Sequence, residues 1–318
     1  VLWFANNKED AHEEPTIKRS RSHDYVSREV INVRENVGLI EVANFSKHEF
    51  KGTDARKFLD HVMAGKLPKP GRISLSPMLS YRGKLCGDLT VACFDENEFM
   101  VFGSGAAQEM HRRWFESHLD KFDVNYKNRS DEFHGISIAG PNSRKVLEKI
   151  VRDNVTNEKF KFRDSRRMFV GGVPAIINRI SFTGELGYEI YVAPHYQIKL
   201  YEELMEAGKE FNIKPFGGRA LMSMRLEKNW GAWTLDYRPD FTAKETGLDM
   251  FINWDKDFIG KEKAKSENSS SKLTPLIVET NDIDVTSNEA VMNGDQSIGY
   301  VTSGGFAHFV NKSVAFTI

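Results

Sequence analysis

The sequence predicts an α+β fold made of two related lobes followed by a short all-β region. Three observations predict it: short apolar strands, a strand–glycine–helix pattern that occurs twice, and a polar stretch before a final run of strands. Of the 318 residues, 40% are hydrophobic and 28% charged, which is typical of a globular protein. The net charge of −1 argues against a general nucleic-acid binder. No apolar run approaches the roughly 20 residues that a membrane span needs.

The chain begins with residues 1–46, which we expect to be a lead-in with a short helix from Val30 and then a strand. We expect a first α+β lobe at 47–130, in which Thr53 caps a helix and three strands precede a second helix over about 106–119. The second α+β lobe is expected at 131–266 and contains a helix over about 219–233.

A polar linker at 267–271 separates these lobes from residues 272–318, which we expect to be the start of a C-terminal β-barrel domain. The sequence has no initiating Met and stops in residues typical of a strand. We therefore interpret the chain as a piece of a longer protein, with a truncated barrel.

The repeat is the strongest sign of two related lobes. The stretch from Gly52 to Asp60 aligns with that from Gly140 to Glu148, an offset of 140 − 52 = 88, and both carry an Arg-Lys pair with the same apolar face. The helices that follow the last strand of each copy are offset similarly. Two common strand–helix turns could coincide by chance, but the matching order downstream favours a repeat. A groove between such lobes is a natural ligand site.

Glu189 is the first candidate functional residue. It follows a turn with glycines at 184 and 187 and lies among Tyr188, Ile190 and Val192, which alternate as in a strand. An unpaired buried carboxylate costs several kcal/mol, so a partner or ligand is expected there. The alternative is an exposed strand edge, where a charge discourages aggregation.

Asp88 is the second candidate, because it interrupts an apolar strand and the flanking Gly87 lets a ligand approach the backbone. An aspartate in this position can accept a proton from a nitrogen and stabilise a developing cation. A carboxylate at a strand edge or turn is the alternative interpretation.

Other motifs carry weaker signals. Residues 103–108 imitate a dinucleotide fingerprint, but Gln108 replaces its third small residue. The histidines show no metal-ligand spacing, so no metal site is predicted. Cys86 and Cys93 suggest neither a zinc site nor a disulfide, and reduced thiols indicate a cytosol-like compartment. The basic run 159–167 is typical of a solvated strand face and could instead receive an anionic tail.

Taken together, several stretches resemble the folate-binding aminomethyltransferase family. That family includes the T-protein of the glycine cleavage system and the C-terminal halves of dimethylglycine and sarcosine dehydrogenases, to which the likeness is strongest. The stretches that carry the resemblance are Arg34-Glu35-Asn36-Val37-Gly38-Leu39, residues 182–189, Arg225-Leu226-Glu227-Lys228, Asp257-Phe258-Ile259-Gly260-Lys261 and Val301-Thr302-Ser303-Gly304-Gly305.

The resemblance implies a three-lobed, clover-like α+β fold with tetrahydrofolate in its central opening. It places Asp88 on the family's catalytic aspartate and Glu189 on the carboxylate that pairs with the pterin. It also assigns three further residues to folate binding. Phe182 replaces a usual Tyr, Ser104 lies near a position held by Asn, and Arg225 belongs to a helix whose counterparts lie near the folate.

The implied activity is tetrahydrofolate-dependent transfer of a one-carbon unit from an N-methylated amine, such as dimethylglycine or sarcosine. Amine oxidation itself would need FAD in a separate or missing domain or on a partner protein. The implied compartment is the cytoplasm, or the mitochondrial matrix in a eukaryote, and no membrane or nucleic-acid partner is expected. The alternatives are a non-catalytic folate-binding or regulatory module and a folate-dependent demethylase of an onium or other methylated substrate.

Overall fold

The structure is a computed structural model that describes residues 1–13 and 15–318. The helices are α1 Ser22–Glu35, α2 Ala55–Val62, α3 Gln108–Glu116, α4 Ser143–Ile150, α5 Gln197–Gly208, α6 Gly218–Glu227, α7 Ala243–Thr246 and α8 Lys261–Lys265. The strands are β1 Val37–Glu41, β2 Ser46–Lys51, β3 Arg72–Leu79, β4 Leu85–Asp95, β5 Glu98–Gly103, β6 Asn125–Asn128, β7 His134–Ala139, β8 Ser165–Val170, β9 Val173–Asn178, β10 Gly187–Val192, β11 Ile213–Pro215, β12 Thr274–Val278, β13 Ala290–Asn293, β14 Gln296–Ala307 and β15 Lys312–Thr317.

The first lobe is an antiparallel sheet in the order β3-β4-β5-β2-β6. Its core lies between one face of the sheet and the helices α2 and α3, and it includes Phe58, Val91, Phe99 and Phe115. β5 has antiparallel neighbours on both sides, so the glycine turn after it does not open a βαβ unit.

The second lobe repeats this arrangement. Its sheet has the order β8-β9-β10-β7-β1-β11, which matches the first lobe strand for strand once β1 is removed from between β7 and β11. α4 begins 143 − 55 = 88 residues after α2, as the repeat predicts. Gly52 and Gly140 take equivalent extended turns with φ of 142° and 133°, and in both a Cβ would collide with a backbone carbonyl oxygen. The two related α+β lobes are therefore confirmed.

The C-terminal region forms a separate sheet in the order β12-β15-β14-β13, which confirms the predicted small β domain. Residues 267–273 connect it to the second lobe without regular structure. The predicted α+β class with three structural units is thus observed.

Three local predictions need correction. The segment 1–46 contributes more than a lead-in, because α1 begins at Ser22, β1 pairs in the second sheet, and Trp3 is buried against α1 and α6. Thr53 does not cap α2, since its hydroxyl donates to the Asp123 carboxylate instead.

The third correction concerns α6, which ends at Glu227 rather than near residue 233. Asn229 adopts a left-handed φ of 57°, and the Trp230 N–H donates to the Arg225 carbonyl oxygen. This is the hydrogen-bond pattern of a Schellman helix end.

Candidate functional site

Asp88 lies on the face of its sheet that is turned toward the second lobe. Along β4, Leu89 and Val91 point into the core of the first lobe, whereas Ala92 and Phe94 belong to an apolar cluster formed by both lobes. Successive strand residues point to opposite faces, so Asp88 and Thr90 share the inter-lobe face with Ala92.

Glu189 lies on the corresponding face of the second lobe. In β10, Tyr188 and Ile190 point into the core of that lobe, whereas Tyr191 belongs to the inter-lobe cluster. The same alternation places Glu189 beside Tyr191 and toward the first lobe.

A pair of stacked rings joins the two faces. Phe102 and Tyr191 stack with ring centroids 4.7 Å apart, and Phe102 is directly paired with Thr90. Asp88 is therefore two residues along β4 from Thr90, the strand partner of Phe102. Glu189 is likewise two residues along β10 from Tyr191. Ser104 follows Phe102 by two residues, so extending the β4–β5 register places it opposite Asp88. Asp88, Glu189 and Ser104 thus surround one inter-lobe contact.

Asp88 is a partly accessible carboxyl in a desolvating environment. Burial raises its pKa from 3.8 to about 7, and its own backbone N–H is the hydrogen-bond donor that opposes this shift. Among residues 1–13 and 15–318, no side chain donates a hydrogen bond to it. Gly87 leaves room for His111 behind the strand, because a Cβ there would lie 2.8 Å from His111 Nε2. Such a carboxyl can take up or release a proton near neutral pH.

Glu189 has a similar pKa with a different set of neighbours. Burial raises the pKa to about 7, while the Tyr191 hydroxyl, which donates to Oε2 over 2.8 Å, and the charge of Lys47 oppose the increase. A single donor leaves a carboxylate with spare acceptor capacity for a ligand.

Lys47 and Tyr191 also belong to this site, although neither was predicted as a site residue. The Lys47 side chain is fully buried, and its ammonium donates to the carbonyl oxygens of Ala43 and Phe45 over 2.8 and 2.7 Å. Burial lowers its pKa to about 8, and the charges of Asp131 and Glu189 oppose that decrease. The sequence signal for Lys47 was a lysine near the start of a strand, at a position that faces inward.

The turn before β10 is rigidly built. Gly184 has a φ of 86°, and a Cβ on Gly187 would lie 2.5 Å from Ser181 Cβ, so both glycines are required as predicted. Arg34 on α1 donates to the Thr183 carbonyl oxygen over 3.0 Å. Phe182 is half-buried within this turn.

Arg225 is held away from solvent, with 1% exposure. Its guanidinium donates to Asp236 over 2.6 Å and to Ser303 Oγ over 2.7 Å. Its role in folate binding stays a prediction, and the contacts in the structure assign it to the junction with the C-terminal sheet.

Two of the five basic residues of the run 159–167 have acidic partners: Arg167 pairs with Glu98 over 2.6 Å and Arg166 with Asp164 over 3.6 Å. In the part of the chain that the structure describes, no group of three or more His, Cys, Asp or Glu side chains could hold a metal ion. In the same part, no helix is both long enough and apolar enough to cross a membrane.

Comparison with known proteins identifies the family. Residues 1–256 match the model of the GCVT N-terminal domain, and residues 272–318 match that of the glycine cleavage T-protein C-terminal barrel domain. The chain belongs to the glycine cleavage T-protein family. Members of this aminomethyltransferase family are folate-dependent transferases.

Two curated relatives and one solved structure illustrate the range of the T-protein family. The chain is 35% identical to mitochondrial dimethylglycine dehydrogenase of Mus musculus over 99% of its own length and 37% of that protein. It is 29% identical to an aminomethyltransferase of Thermoanaerobacter pseudethanolicus over 90% of its length and 79% of that protein. The glycine cleavage aminomethyltransferase T of Bartonella henselae superposes with a TM-score of 0.83 at 21% identity, covering 92% of this chain and 81% of the other. The chain therefore has the T-protein fold and spans a little over a third of the dimethylglycine dehydrogenase.

Proposed function

We propose that this T-protein family member transfers a one-carbon unit to tetrahydrofolate, using Asp88 as the proton acceptor and Glu189 as the pterin-binding carboxylate. One structural observation is the main support for this proposal. Two carboxyls, each with a pKa of about 7, lie on the facing surfaces of two related lobes, on either side of the Phe102–Tyr191 stack.

Glu189 suits the recognition of a pterin. Tyr191 occupies one side of its carboxylate, and the remaining acceptor capacity matches a ligand that presents adjacent N–H donors. Phe182 in the preceding turn offers an aromatic ring, and Ser104 offers a hydroxyl near Asp88. Ligand donors favour the ionised carboxylate, so binding would lower the pKa of Glu189.

Asp88 suits proton transfer, because a general base is most effective when its pKa lies near the working pH. When bound, tetrahydrofolate supplies the nucleophilic nitrogen that captures the one-carbon unit. The Asp88 carboxylate would accept the proton which that nitrogen loses and would stabilise positive charge on it.

For the one-carbon donor we propose an N-methylated amine of the dimethylglycine or sarcosine class. The similarity to a dimethylglycine dehydrogenase over 99% of this chain supports this choice. Oxidation of the amine requires a flavin such as FAD, which a further domain or a partner protein would supply. By the same similarity, the compartment would be the mitochondrial matrix in a eukaryote and the cytoplasm otherwise.

Tetrahydrofolate titration and a one-carbon transfer assay test the proposal. We expect Glu189→Gln to weaken folate binding, measured by calorimetry, about tenfold or more, because a neutral amide loses a charge-assisted hydrogen bond. Asp88→Asn should lower the transfer rate by about 10²–10⁴-fold and change affinity little. Asp95→Asn, at the exposed end of the same strand, is the matched control.

The results separate the alternatives. Folate binding without transfer by the unmodified chain would favour a non-catalytic folate-binding module, and transfer of a methyl rather than a methylene unit would favour a demethylase of a methylated substrate. Transfer at an unchanged rate in Asp88→Asn would remove the role proposed for that carboxyl.

A further inference from the structure

A compact loop follows α6, and we call residues 230–237 the aromatic loop because it carries Trp230, Trp233 and Tyr237. The N–H groups of Asp236 and Tyr237 both donate to the Ala232 carbonyl oxygen, over 2.9 and 3.1 Å. The Tyr237 hydroxyl accepts a hydrogen bond from the backbone N–H at position 231. The loop is therefore fixed by its own hydrogen bonds.

The aromatic loop lies against the strand that carries Asp88. The Trp233 ring lies 6.2 Å from the ring of His111, whose Nε2 is hydrogen-bonded to the Cys86 carbonyl oxygen over 3.0 Å. Tyr237 is 3% exposed, and burial together with the nearby charge of Asp88 raises its pKa. Immediately after the loop, the Phe241 carbonyl oxygen accepts a hydrogen bond from the first N–H of β4.

A buried polar cluster, which we call the Asp236 network, holds the loop to the C-terminal sheet. Asp236 has no exposed surface, and its Oδ2 accepts from Arg225 over 2.6 Å, from Ser303 Oγ over 2.8 Å and from the Ala232 N–H over 2.9 Å. Its Oδ1 accepts from Thr302 Oγ1 over 2.5 Å. Thr302 and Ser303 belong to β14, so this carboxylate joins helix α6, the aromatic loop and the C-terminal domain.

We propose that the Asp236 network is a positioning device for Asp88: β14 holds the aromatic loop closed against β4 and so keeps water away from the reactive carboxyl. Asp236, Thr302 and Ser303 then act through the loop and contact no substrate. Asp236 and Arg225 compensate each other's buried charge, so loss of one β14 hydroxyl leaves the ion pair in place and weakens only the attachment to the sheet.

The surroundings of Asp88 explain why closure of the loop matters. Tyr237 on the loop is close enough to feel the charge of Asp88, whereas His111 on α3 lies behind the strand and Cys86 lies two residues away on the same strand. All three are neutral near pH 7, because burial raises the pKa of Tyr237, raises that of Cys86 to about 11 and lowers that of His111 to about 4. Burial is the largest influence on the pKa of Asp88, so the acidity of this carboxyl depends on how well water is excluded.

Carboxyl ¹³C NMR titration of the whole chain, with the Asp88 signal assigned by Asp88→Asn, tests this proposal. Ser303→Ala removes one donor to Asp236 from β14, and Ser313→Ala is the matched control, since Ser313 is buried in the same sheet and its hydroxyl has no partner. We expect the Asp88 midpoint to fall by about one pH unit in Ser303→Ala. It should stay unchanged in Ser313→Ala.

Thr302→Val is a second variant for the same measurement, and it replaces Ser303→Ala if that variant does not fold. We expect the same fall in the Asp88 midpoint. Midpoints in both variants equal to that of the unmodified chain would overturn the proposal. The proposal rests on the role proposed for Asp88, but the titration needs no folate. A lowered midpoint in a chain that transfers no one-carbon unit would therefore contradict the function and support the positioning role.

Discussion

At the scale of single residues, burial of the Glu189 carboxyl lowers the stability of the free protein near neutral pH. Its pKa rises from 4.5 to about 7 on folding, so between these values the folded chain holds a proton that the unfolded chain has released. The free energy of unfolding therefore falls as the pH rises through this interval and is lowest above it. In the proposed function, a bound pterin would supply the hydrogen bonds that the ionised carboxylate lacks in the free protein.

We predict that Glu189→Gln stabilises the free protein at pH 8. The amide oxygen can still accept the Tyr191 hydroxyl, and the cost of burying a charge is removed. We expect a gain of about 1–3 kcal/mol in the free energy of unfolding at pH 8, which disappears toward pH 4. Urea denaturation at the two pH values measures it, and a variant that is less stable at pH 8 would contradict the prediction.

Glu98→Gln is a control for which we expect the opposite change in the free energy of unfolding. A hydrogen bond from Arg167, assisted by Lys51, lowers the pKa of Glu98 to about 2. Its ionised form therefore stabilises the fold above the ordinary pKa of 4.5, and that contribution is lost only as the pH falls toward 2. We expect Glu98→Gln to destabilise the protein at pH 8 in the same denaturation experiment.

The two carboxyls could be predicted from sequence, because a charge inside an alternating apolar strand is visible locally. The surroundings of the Lys47, Tyr191 and Arg225 side chains could not be predicted in the same way. Lys47 and Tyr191 form their shortest side-chain hydrogen bonds with residues two to four positions away, but Tyr191 is buried by the contact between lobes, and Lys47 lies against its ring. Arg225 is bonded to a strand 78 residues later. Contacts between distant segments leave no local pattern.

At the scale of elements, Arg34 connects α1 to the turn before β10 and to α6. It donates to Glu185 over 2.8 Å and to Glu227 over 2.6 Å, and its side chain is 10% exposed. We predict that Arg34→Met destabilises the protein by about 3–5 kcal/mol, because Glu227 is left as a buried, unpaired carboxylate. The effect is measured by thermal or urea denaturation at pH 7.

The double variant Arg34→Met/Glu227→Gln separates loss of the charge pair from loss of packing. Removing the second charge should restore part of the lost stability, and the Gln oxygen can still accept the Phe309 N–H. A double variant as unstable as the sum of two single losses would show that the pair itself contributes little.

Helices and strands with a regular spacing of apolar residues were predicted well. Strand pairings between segments distant in the sequence were not. The helices after Gly52 and Gly140 and the strand 187–192 follow directly from glycine position and apolar spacing. The insertion of β1 between β7 and β11 could not be predicted, since the choice of partner strand depends on the assembled sheet. The early end of α6 has a local signal in Asn229, which favours the left-handed conformation of a helix end.

At the scale of the whole molecule, the two lobes meet at equivalent positions of their repeat. Tyr191 follows Phe102 by 191 − 102 = 89 residues, and the helices α5 and α3 are offset by the same 197 − 108 = 89. The stacked rings therefore mark the pseudo-two-fold relation between the lobes. Each lobe contributes one carboxyl beside this stack, but Asp88 comes from β4 and Glu189 from β10, which are not equivalent strands of the repeat.

We predict that Phe102→Leu changes the site as well as the stability. The smaller side chain loosens the contact between lobes and admits water to Glu189, so the ¹³C NMR titration midpoint of Glu189 should fall from about 7 toward its ordinary value of 4.5. Phe58→Leu in the core of the first lobe should lower the free energy of unfolding by a similar amount, about 1–2 kcal/mol, and leave that midpoint unchanged, because Phe58 belongs to the core of the first lobe and not to the cluster between the lobes. If the two variants shift the midpoint equally, the acidity of Glu189 reflects general stability; if only Phe102→Leu shifts it, the stack between the lobes controls the carboxyl.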